Sequence, residues 1–367
     1  MSASFEIVSH IKNYKVAIGD DLLAGCAADI EDHIFLCDRF FTSRLAAANR
    51  RIISIEATEK AKSLDQMSDV IIRLREVGAT RKTVLIAVGG GVIQDIATFC
   101  ASIYMRGIPW LYLPSTLLGM VDSCIGGKSA INVGPYKNIV GNYYPPEEVL
   151  IDPVMVKSLG VEQKVAGLCE AAKICYARGG NSFKRYLALN PTVDINGLKL
   201  AALIELSLQA KKWFIETDEF DQNERLLLNF GHTFGHAIEG ATDFRISHGV
   251  AVGVGILAAL YHARMVYGSE QIAEQAVVLE HHIRFLLASI SDLPDILAVA
   301  DPSILFDRFV ADKKHTISGY TIIGLTKEGA LQLFRLPHGP ESDATIQRIF
   351  AAIVQPSFLR DVFLADL

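Results

Sequence analysis

The sequence predicts an α/β domain with a mostly parallel sheet over residues 1–155, followed by an all-α domain over residues 156–367. Short apolar runs alternate with helical patterns through the first 150 residues, as in α/β proteins. From about Pro153 onward, the 3.6-residue periodicity of helices dominates. A chain of 367 residues is also long enough for two domains that each bury a core.

The first domain is predicted from short runs rich in β-branched or aromatic residues. These runs are IFLCD (34–38), RIISIE (51–56), TVLIAV (83–88) and WLYLP (110–114). Helical patterns over 63–79 and 95–105 lie between them. Because consecutive parallel strands need a crossover, usually a helix, this alternation indicates a parallel sheet covered by helices.

The second domain is predicted from long segments with helical periodicity. The clearest are residues 162–177, 198–218, 248–268 and 343–354. No internal repeat or low-complexity tract interrupts them.

Composition excludes several classes of protein. A net charge of −6 gives no general attraction to nucleic acid or to anionic membranes, so an anionic ligand needs a local basic cluster. Six scattered cysteines without a C-x-x-C pair fit a reducing cytoplasm. We see no signal peptide and no stretch approaching the roughly 20 apolar residues of a membrane span. We therefore expect a cytoplasmic protein with no nucleic-acid or membrane partner.

A glycine-rich turn, Gly89–Gly91, separates a predicted strand from a predicted helix. Glycines let the backbone approach a pyrophosphate, whose charge the helix N-terminus favours. The turn is not the G-x-G-x-x-G fingerprint, and a tight turn without a ligand is the alternative. Asp38, at the end of an early strand, is a candidate ribose ligand, although such a residue caps helices just as often.

Histidines four residues apart, His232 and His236, lie on one face of a predicted helix. His248 begins the next helix, and Glu170 and Lys173 lie one turn apart on an earlier one. Two or three imidazoles with one carboxylate form a good divalent site for zinc. Spacing alone does not decide which histidines bind, and the alternative for the pair is packing or capping.

Several basic residues adjoin these glycine and histidine segments. They are Lys128, Lys137 (followed by Asn138), Lys211, Arg225, Lys313 and Lys314. Basic side chains beside Gly-Gly turns and histidine segments are typical of anion ligands, whereas a single lysine is more often a solvated surface residue.

Together these segments resemble 3-dehydroquinate synthase and the wider sugar-phosphate cyclase family. The resemblance runs from about Ile53 to Ile323 through seven ordered segments: GGGVIQD, YMRGIPWLYLPSTLLGMVDSCIGGKSAIN, YKNIVGNYYPP, GLCEAAK, ERLLLNFGHTFGHAIE, SHGVAVGVG and ADKK. It implies a dehydroquinate synthase-like fold with an NAD-binding α/β domain and a helical domain that binds metal and substrate.

The resemblance also implies a role for individual residues. The metal, zinc or else cobalt, would be held by Glu170, His232 and His248. NAD would be held by Asp38, the segment Glu59–Lys62, Gly90, Gly91, Asp95, Ser115, Thr116, Asp122 and Lys137. The substrate site would be lined by Arg106, Lys128, Asn138, Lys173, Lys211, Arg225, Asn229, His236 and Lys314, with Lys211 and Arg225 at the carboxylate end.

The activity implied is conversion of 3-deoxy-D-arabino-heptulosonate 7-phosphate (DAHP) to 3-dehydroquinate and phosphate by a homodimer in the shikimate pathway. NAD would be reduced and re-oxidised in each turnover, around a phosphate elimination and before an intramolecular aldol closure. The chain departs from the family pattern at Ser115, at Ala171–Ala172, at Asp221 and in the segment EATEKAK (56–62). These departures leave the catalytic groups in place but indicate a divergent branch.

Three other functions compete with this one. A cyclase for a neutral sugar phosphate, such as sedoheptulose 7-phosphate, would keep the same fold and cofactors. A metal-dependent polyol dehydrogenase would consume NAD stoichiometrically and has little use for the basic cluster. A non-catalytic NAD-binding regulator would be expected to have lost metal or phosphate ligands, and we find none missing.

Overall fold

A computed structural model of the chain describes residues 3–47, 51–134 and 136–360. The chain divides into two compact units by its contacts. The first unit comprises Met1–Leu159 and Asn196–Glu219, and the second comprises Gly160–Ile195 and Phe220–Leu367. The predicted boundary after residue 155 differs from this division in the segment 196–219, which belongs to the first unit. The division into an NAD-binding domain and a metal- and substrate-binding domain at residue 155 stays a prediction.

The strands, in chain order, are β1 (Ala3–Ile7), β2 (Tyr14–Ile18), β3 (His33–Asp38), β4 (Ile52–Ile55), β5 (Val84–Gly89), β6 (Trp110–Pro114), β7 (Ile131–Val133), β8 (Tyr136–Val140), β9 (Glu148–Ile151), β10 (Gly319–Leu325) and β11 (Leu331–Pro337). The four strands predicted from sequence correspond to β3, β4, β5 and β6.

The α-helices, in chain order, are α1 (Leu22–Gly25), α2 (Thr42–Ala46), α3 (Leu64–Glu76), α4 (Gly91–Ile103), α5 (Val161–Arg178), α6 (Ser182–Ala188), α7 (Gly197–Thr217), α8 (His232–Ala241), α9 (His248–Tyr267), α10 (Glu274–Leu287), α11 (Leu293–Ala298), α12 (Pro302–Val310) and α13 (Pro340–Ile353). The six longer helical patterns named above correspond to α3, α4, α5, α7, α9 and α13.

The first unit is built on a seven-stranded sheet in the order β1-β2-β9-β6-β5-β3-β4. All neighbours are parallel except the edge pair of β1 and β2. In the inner strand β5, the residues from Leu85 to Val88 are fully buried, as expected for a strand covered on both faces. The carboxyl ends of β3, β5 and β6 therefore bring Asp38, Gly89 and Pro114 to the same edge of the sheet.

The second unit is helical, with one antiparallel hairpin of β10 and β11. The predicted fold class is confirmed, although the description "all-α" leaves this hairpin out. Helix α9 has the length and apolar composition of a membrane span, a feature that we did not expect from the sequence. Because 83% of its most apolar window is buried in the protein, it has the pattern of a core helix.

Helix α9 packs against α5 and α8 through glycines. A Cβ placed on Gly249 would lie 2.4 Å from the carbonyl oxygen of Ala166 in α5. A Cβ on Gly255 would lie 2.0 Å from the carbonyl oxygen of Gly231, next to the start of α8. These distances are shorter than any real Cβ contact, so the helices approach this closely only because no side chain stands between them.

Candidate active site

One carboxylate and two imidazoles converge in the second unit. Ligand atoms of Glu170, His232 and His248 all lie within 4.8 Å of one another. Nε2 of His248 is 3.6 Å from Oε1 of Glu170, and Nε2 of His232 is 3.8 Å from the same oxygen. Glu170 lies within α5 and is 1% exposed, whereas the two histidines are the first residues of α9 and α8.

The outer nitrogens of these histidines have acceptor partners. Nδ1 of His248 lies 3.2 Å from Oε2 of Glu239, and Nδ1 of His232 lies 3.3 Å from the carbonyl oxygen of Phe230. Both oxygens accept, so in the neutral rings Nδ1 carries the proton and Nε2 keeps its lone pair. A partner of this kind fixes the tautomer and the ring orientation of a metal-binding histidine.

The protonation of the two histidines differs with their surroundings. Burial, together with the positive charge of Lys173, lowers the pKa of His232 well below its usual range. Burial also acts to lower the pKa of His248, but the carboxylates of Glu239 and Glu170 outweigh it and raise the pKa.

This donor set fits a divalent metal such as zinc. Ligands at about 2.0–2.1 Å in a tetrahedral arrangement lie about 3.4 Å apart, close to the separations from Glu170 to the two histidines. Three protein ligands are typical of catalytic zinc, which keeps a position for substrate or water. Lys173, one turn beyond Glu170 and 2% exposed, forms an ion pair with the other carboxylate oxygen, Oε2. The lysine therefore balances charge without occupying the face of Glu170 that meets the histidines.

The second histidine of the helix, His236, has a different partner. Its Nδ1 lies 3.0 Å from Oδ2 of Asp312, and its ring lies 5.8 Å from that of His248. Although burial opposes ionisation, hydrogen bonding to His236 and the charge of Lys314 hold the pKa of Asp312 well below its usual range. The ionised carboxylate accepts from Nδ1, which leaves the Nε2 lone pair of His236 available for chemistry. The geometry thus separates His236 from the Glu170 group. The spacing alone had left open which of the two histidines on this helix lies with Glu170.

Lys314 lies next to this pair. Its backbone N–H donates to Oδ1 of Asp312 at 2.9 Å, and its Nζ is 3.5 Å from Nδ1 of His236. Burial lowers the pKa of Lys314 to about 8, against the attraction of Asp312. Its ammonium is therefore easier to deprotonate than that of an exposed lysine.

A short 3₁₀ helix, Glu224–Asn229, carries the other two predicted substrate residues of the second unit. Arg225 is 4% exposed, and Asn229 donates from Nδ2 to the carbonyl oxygen of Leu226 at 3.1 Å. A guanidinium buried to this degree is suited to a desolvated anion.

In the first unit, the glycine turn joins β5 directly to α4, which begins at Gly91. A Cβ on Gly89 would lie 2.4 Å from Ile93, and one on Gly90 would lie 2.9 Å from Thr116. The backbone conformation of Gly90 is extended, so these glycines are required by close approach and not by a left-handed turn.

Lys62 is the centre of a polar network beside this turn. Its Nζ donates to Oδ2 of Asp95 and to Oδ1 of Asn138, both at 2.9 Å, and lies 3.4 Å from Oε1 of Glu59. Burial raises the pKa of Asp95 to about 6, against the opposing charge of Lys62. Burial alone would lower the pKa of Lys62, but Asp95 and Glu59 raise it. Lys137 extends the network, with its Nζ 3.7 Å from Oε1 of Glu59.

Three further predicted cofactor residues, Asp38, Ser115 and Thr116, lie at the same edge of the sheet. Asp38 accepts from the N–H of Phe40 at 3.1 Å, so it does cap a short helix. The N–H of Ser115 donates to the carbonyl oxygen of Gly89, and Thr116 accepts at Oγ1 from the N–H of Gly119.

Lys211 and Asp122 form an ion pair within the first unit. Nζ of Lys211 lies 2.5 Å from Oδ1 of Asp122 and also donates to the carbonyl oxygens of Asp122 and Ile125. Lys211 is 7% exposed, so this carboxylate balances a buried charge. The two residues were predicted for different ligands, substrate and NAD, and the structure brings them together.

The other predicted substrate residues of the first unit are Lys128, Arg106 and Asn138, of which Asn138 lies in β8. Lys128 follows two glycines of positive φ, and its Nζ lies 5.8 Å from the ring centroid of Tyr143. Arg106 is exposed and has a φ of 69°, and Asn138 has a φ of 54°. The left-handed conformation costs a non-glycine residue about 1–2 kcal/mol, and such residues cluster at functional sites.

Three supporting residues were not predicted. Glu239 and Asp312 hold histidines, and buried Asn132 donates to Oε1 of Glu59 at 2.8 Å and accepts from the N–H of Asn138 at 2.9 Å. All three belong to segments that already carried predicted residues. Their partners are distant in sequence or separated by a turn, so spacing gave no signal.

Comparisons with known proteins identify the family of the chain. A family model described as "3-dehydroquinate synthase N-terminal" matches residues 52–166, and one described as "3-dehydroquinate synthase C-terminal" matches residues 167–314. The 3-dehydroquinate synthase of Latilactobacillus sakei subsp. sakei is 35% identical over 287 residues, 78% of this chain and 77% of that protein. That of Dehalococcoides mccartyi is 33% identical over 336 residues, 87% of this chain and 91% of that protein.

Among solved structures, 2-deoxy-scyllo-inosose synthase complexed with carbaglucose-6-phosphate, NAD+ and Co2+ is similar to this chain. It has 25% sequence identity and a TM-score of 0.79, with coverage of 95% of this chain and 99% of that one. The resemblance inferred from the sequence is therefore confirmed over both halves of the chain. Matched by both family models and by relatives that align over more than three quarters of its length, the chain belongs to the 3-dehydroquinate synthase family and is a sugar-phosphate cyclase-type enzyme.

Proposed function

We propose that the enzyme converts DAHP to 3-dehydroquinate and phosphate. The observation that carries the proposal is the Glu170–His232–His248 cluster, found in a chain whose curated relatives are named 3-dehydroquinate synthase. The cluster has the ligand number and chemistry of a catalytic divalent site. Carbocycle formation with loss of phosphate is the family activity that uses such a site.

The cofactors in this proposal are NAD and one divalent metal, zinc or cobalt. When bound, NAD accepts and returns a hydride, and the metal polarises a substrate hydroxyl oxygen as a Lewis acid. Glu170, His232 and His248 would hold the metal. NAD would lie along the sheet edge at Asp38, Gly90 and Gly91, with the Lys62 network beside it.

The protein's own side chains then position charge and protons. Glu239 and the Phe230 carbonyl hold the histidine rings in the orientation that directs Nε2 inward. His236, which donates from Nδ1 to Asp312, can accept a proton at Nε2 from a substrate hydroxyl. The low pKa of Lys314 also allows its amine to take part in proton transfer near neutral pH.

The anionic groups of the substrate need cationic and hydrogen-bonding partners. In the second unit, we assign Lys314 to the phosphate. Lys128 and Asn138 of the first unit stay predicted substrate residues. We assign Arg225 to the carboxylate, because its planar guanidinium can bind a carboxylate through two parallel hydrogen bonds. The charge of Lys211 is already balanced by Asp122, so the argument for a carboxylate depends on Arg225.

A cyclase that acts on a neutral sugar phosphate is the second candidate. It is favoured by the structural similarity to an enzyme complexed with carbaglucose-6-phosphate, which has a phosphate and no carboxylate. The two candidates differ in the number of anionic groups on the substrate, and a direct comparison of substrates separates them.

The deciding experiment measures phosphate release from DAHP, sedoheptulose 7-phosphate and glucose 6-phosphate, with catalytic NAD and Zn²⁺ or Co²⁺. We expect release from DAHP, no accumulation of NADH at 340 nm, and 3-dehydroquinate as product. Release from a neutral sugar phosphate alone would establish the second candidate. Stoichiometric NADH from a polyol would instead show a dehydrogenase.

The proposal includes the assembly and location that the family resemblance implies, a homodimer in the cytoplasm. Sedimentation equilibrium of the purified protein tests the dimer, and fractionation of the cell that produces it tests the location. A mass of one chain at micromolar concentration would contradict the dimer.

A further inference from the structure

His315 follows Lys314 in the chain and is held by hydrogen bonds from two different elements. Its Nε2 lies 2.7 Å from the carbonyl oxygen of Phe309 in α12, and its Nδ1 lies 3.0 Å from the N–H of Thr321 in β10. The half-buried ring also contacts the aromatic rings of Phe309 and Tyr320, with centroid distances of 4.8 and 5.1 Å.

These partners fix the protonation of the ring. A backbone N–H can only donate, so Nδ1 accepts, and a carbonyl can only accept, so Nε2 carries the proton. The ring must therefore be neutral, which agrees with burial lowering the pKa of His315. Both hydrogen bonds are made by one tautomer, so the ring joins the end of α12 to the start of β10.

The segment between these elements carries two residues placed at the site. Asp312 accepts from His236 and from the N–H of Lys314. The N–H of His315 donates to the carbonyl oxygen of Asp312 at 3.1 Å, and that of Thr316 donates to the carbonyl oxygen of Gly319 at 3.0 Å. The connection is thus a turn whose far end is fixed by the His315 ring.

We propose that His315 is a positioning residue, which fixes the 312–316 turn between α12 and β10 and so sets the place of the Lys314 side chain for the reaction. This inference rests on the proposed function, because Lys314 is assigned there to the substrate phosphate. His315 itself acts through the backbone and does not contact substrate. Loss of its hydrogen bonds releases the turn and displaces the ammonium of Lys314.

A double-mutant cycle tests the connection with Lys314. His315→Phe keeps the ring packing and removes both hydrogen bonds, and Lys314→Ala removes the group that is positioned. We expect His315→Phe to lower kcat/KM about 10- to 100-fold alone, because small misplacements of catalytic groups have effects of this size. In the Lys314→Ala background we expect less than about a twofold further loss, since the two residues act as one unit. Equal losses in both backgrounds would overturn the proposal.

Two variants serve as controls. His315→Gln keeps a donor that reaches the Phe309 carbonyl, so we expect it to recover part of the activity lost in His315→Phe. His281→Gln changes an exposed histidine on α10 and should behave as wild type. If His315→Gln were as impaired as His315→Phe, and equally so in the Lys314→Ala background, the positioning role would be wrong.

Hydrogen exchange gives a readout that needs neither substrate nor cofactor. In His315→Phe, we expect faster exchange of the Thr316 and Thr321 amides at pH 7.5, with α9 unchanged. Exchange identical to wild type would overturn the proposal even if activity fell. If no sugar phosphate releases phosphate with the wild-type enzyme, the proposed function fails, while this exchange experiment still decides whether His315 fixes the turn.

Discussion

Oε1 of Glu170 lies 3.6 Å from Nε2 of His248, although the two residues are 78 positions apart and belong to different helices. The opposite nitrogen of the histidine faces Glu239, and the opposite oxygen of the glutamate faces Lys173. Each of the two side chains is therefore held from behind, the histidine by a carboxylate and the glutamate by an ammonium. The fold itself therefore holds these two side chains in positions suited to binding a metal ion.

Replacing His232 by alanine should remove one of three ligands from this site. We expect bound metal to fall well below one ion per chain, with the fold retained, as measured by elemental analysis and circular dichroism. His236→Ala is the matched control, because it lies one turn away on the same helix, and it should keep the metal. Full occupancy in His232→Ala, or equal loss in both variants, would contradict the assigned ligands.

Replacing Gly249 by alanine should force α5 and α9 apart. The new Cβ would lie 2.4 Å from the Ala166 carbonyl oxygen, and overpacking of this kind typically costs about 1–3 kcal/mol. We expect a lower Tm and weaker metal binding in titration calorimetry, since Glu170 and His248 lie on the separated helices. Gly25→Ala is the control, as its Cβ would meet no atom within 4 Å. A Tm shift no larger than that of the control would show that the packing adjusts easily.

Replacing Arg225 by alanine should distinguish a substrate with a carboxylate from one without. We expect a loss of about 2–5 kcal/mol in transition-state binding of DAHP, the usual effect of removing one partner of a desolvated ion pair. The measurement is kcat/KM for DAHP and for sedoheptulose 7-phosphate, with exposed Arg245→Ala as the control. Equal losses on both substrates would mean that Arg225 does not recognise the carboxylate.

Acid should destabilise the second unit through buried histidines. Burial lowers the pKa of His262 from 6.5 to about 4, so the folded state resists a proton that the unfolded state binds. This stability is fully present above pH 6.5 and is lost as the pH falls toward 4. Over this pH range, the protonation of this residue lowers the free energy of unfolding by about 3 kcal/mol.

Urea unfolding at pH 7.5, 6 and 5 measures this dependence. The difference in unfolding free energy between wild type and His262→Leu should shift in favour of the variant as the pH falls. A difference that does not change with pH would show that His262 is protonated equally well in the folded protein. His282, whose pKa is lowered to about 4 by burial, contributes in the same direction and remains in both proteins.

The parts of the fold that sequence predicts are those with strong periodicity. Strands β5 and β6 are uninterrupted apolar runs because they are buried on both faces, and they were found with nearly the right ends. Strands β1 and β2 alternate exposed and buried residues, with Glu6 and Lys15 facing outward, and they are five residues long. Alternation of this kind is a strand signal, but over only five residues it is a short one, and these two strands were not predicted. The hairpin of β10 and β11 was also missed, although β10 is mostly buried, because it lies within a part of the chain dominated by helical patterns.

The metal ligands were predicted from family resemblance, because spacing could not choose between His232 and His236. What separates them is the partner of each Nδ1, a backbone carbonyl in one case and Asp312 in the other. Asp312 is 76 residues from His236, so this contact exists only after the chain has folded. The pairing of Lys211 with Asp122 was unpredictable in the same way, since 89 residues separate them.

Helix α7 lies in sequence between two segments of the second unit but belongs to the first. Ser207 donates to the carbonyl oxygen of Val121, and Lys212 donates to that of Glu6 in the edge strand. On the ribosome, residues 1–159 therefore emerge without the helix that completes their unit. At about 5–20 residues per second, synthesis of the next 60 residues takes about 3–12 s. During that interval, the edge strand and the segment around Val121 lack the helix that they contact in the folded unit. We therefore expect the nascent chain to depend on chaperones until residue 219 has been made.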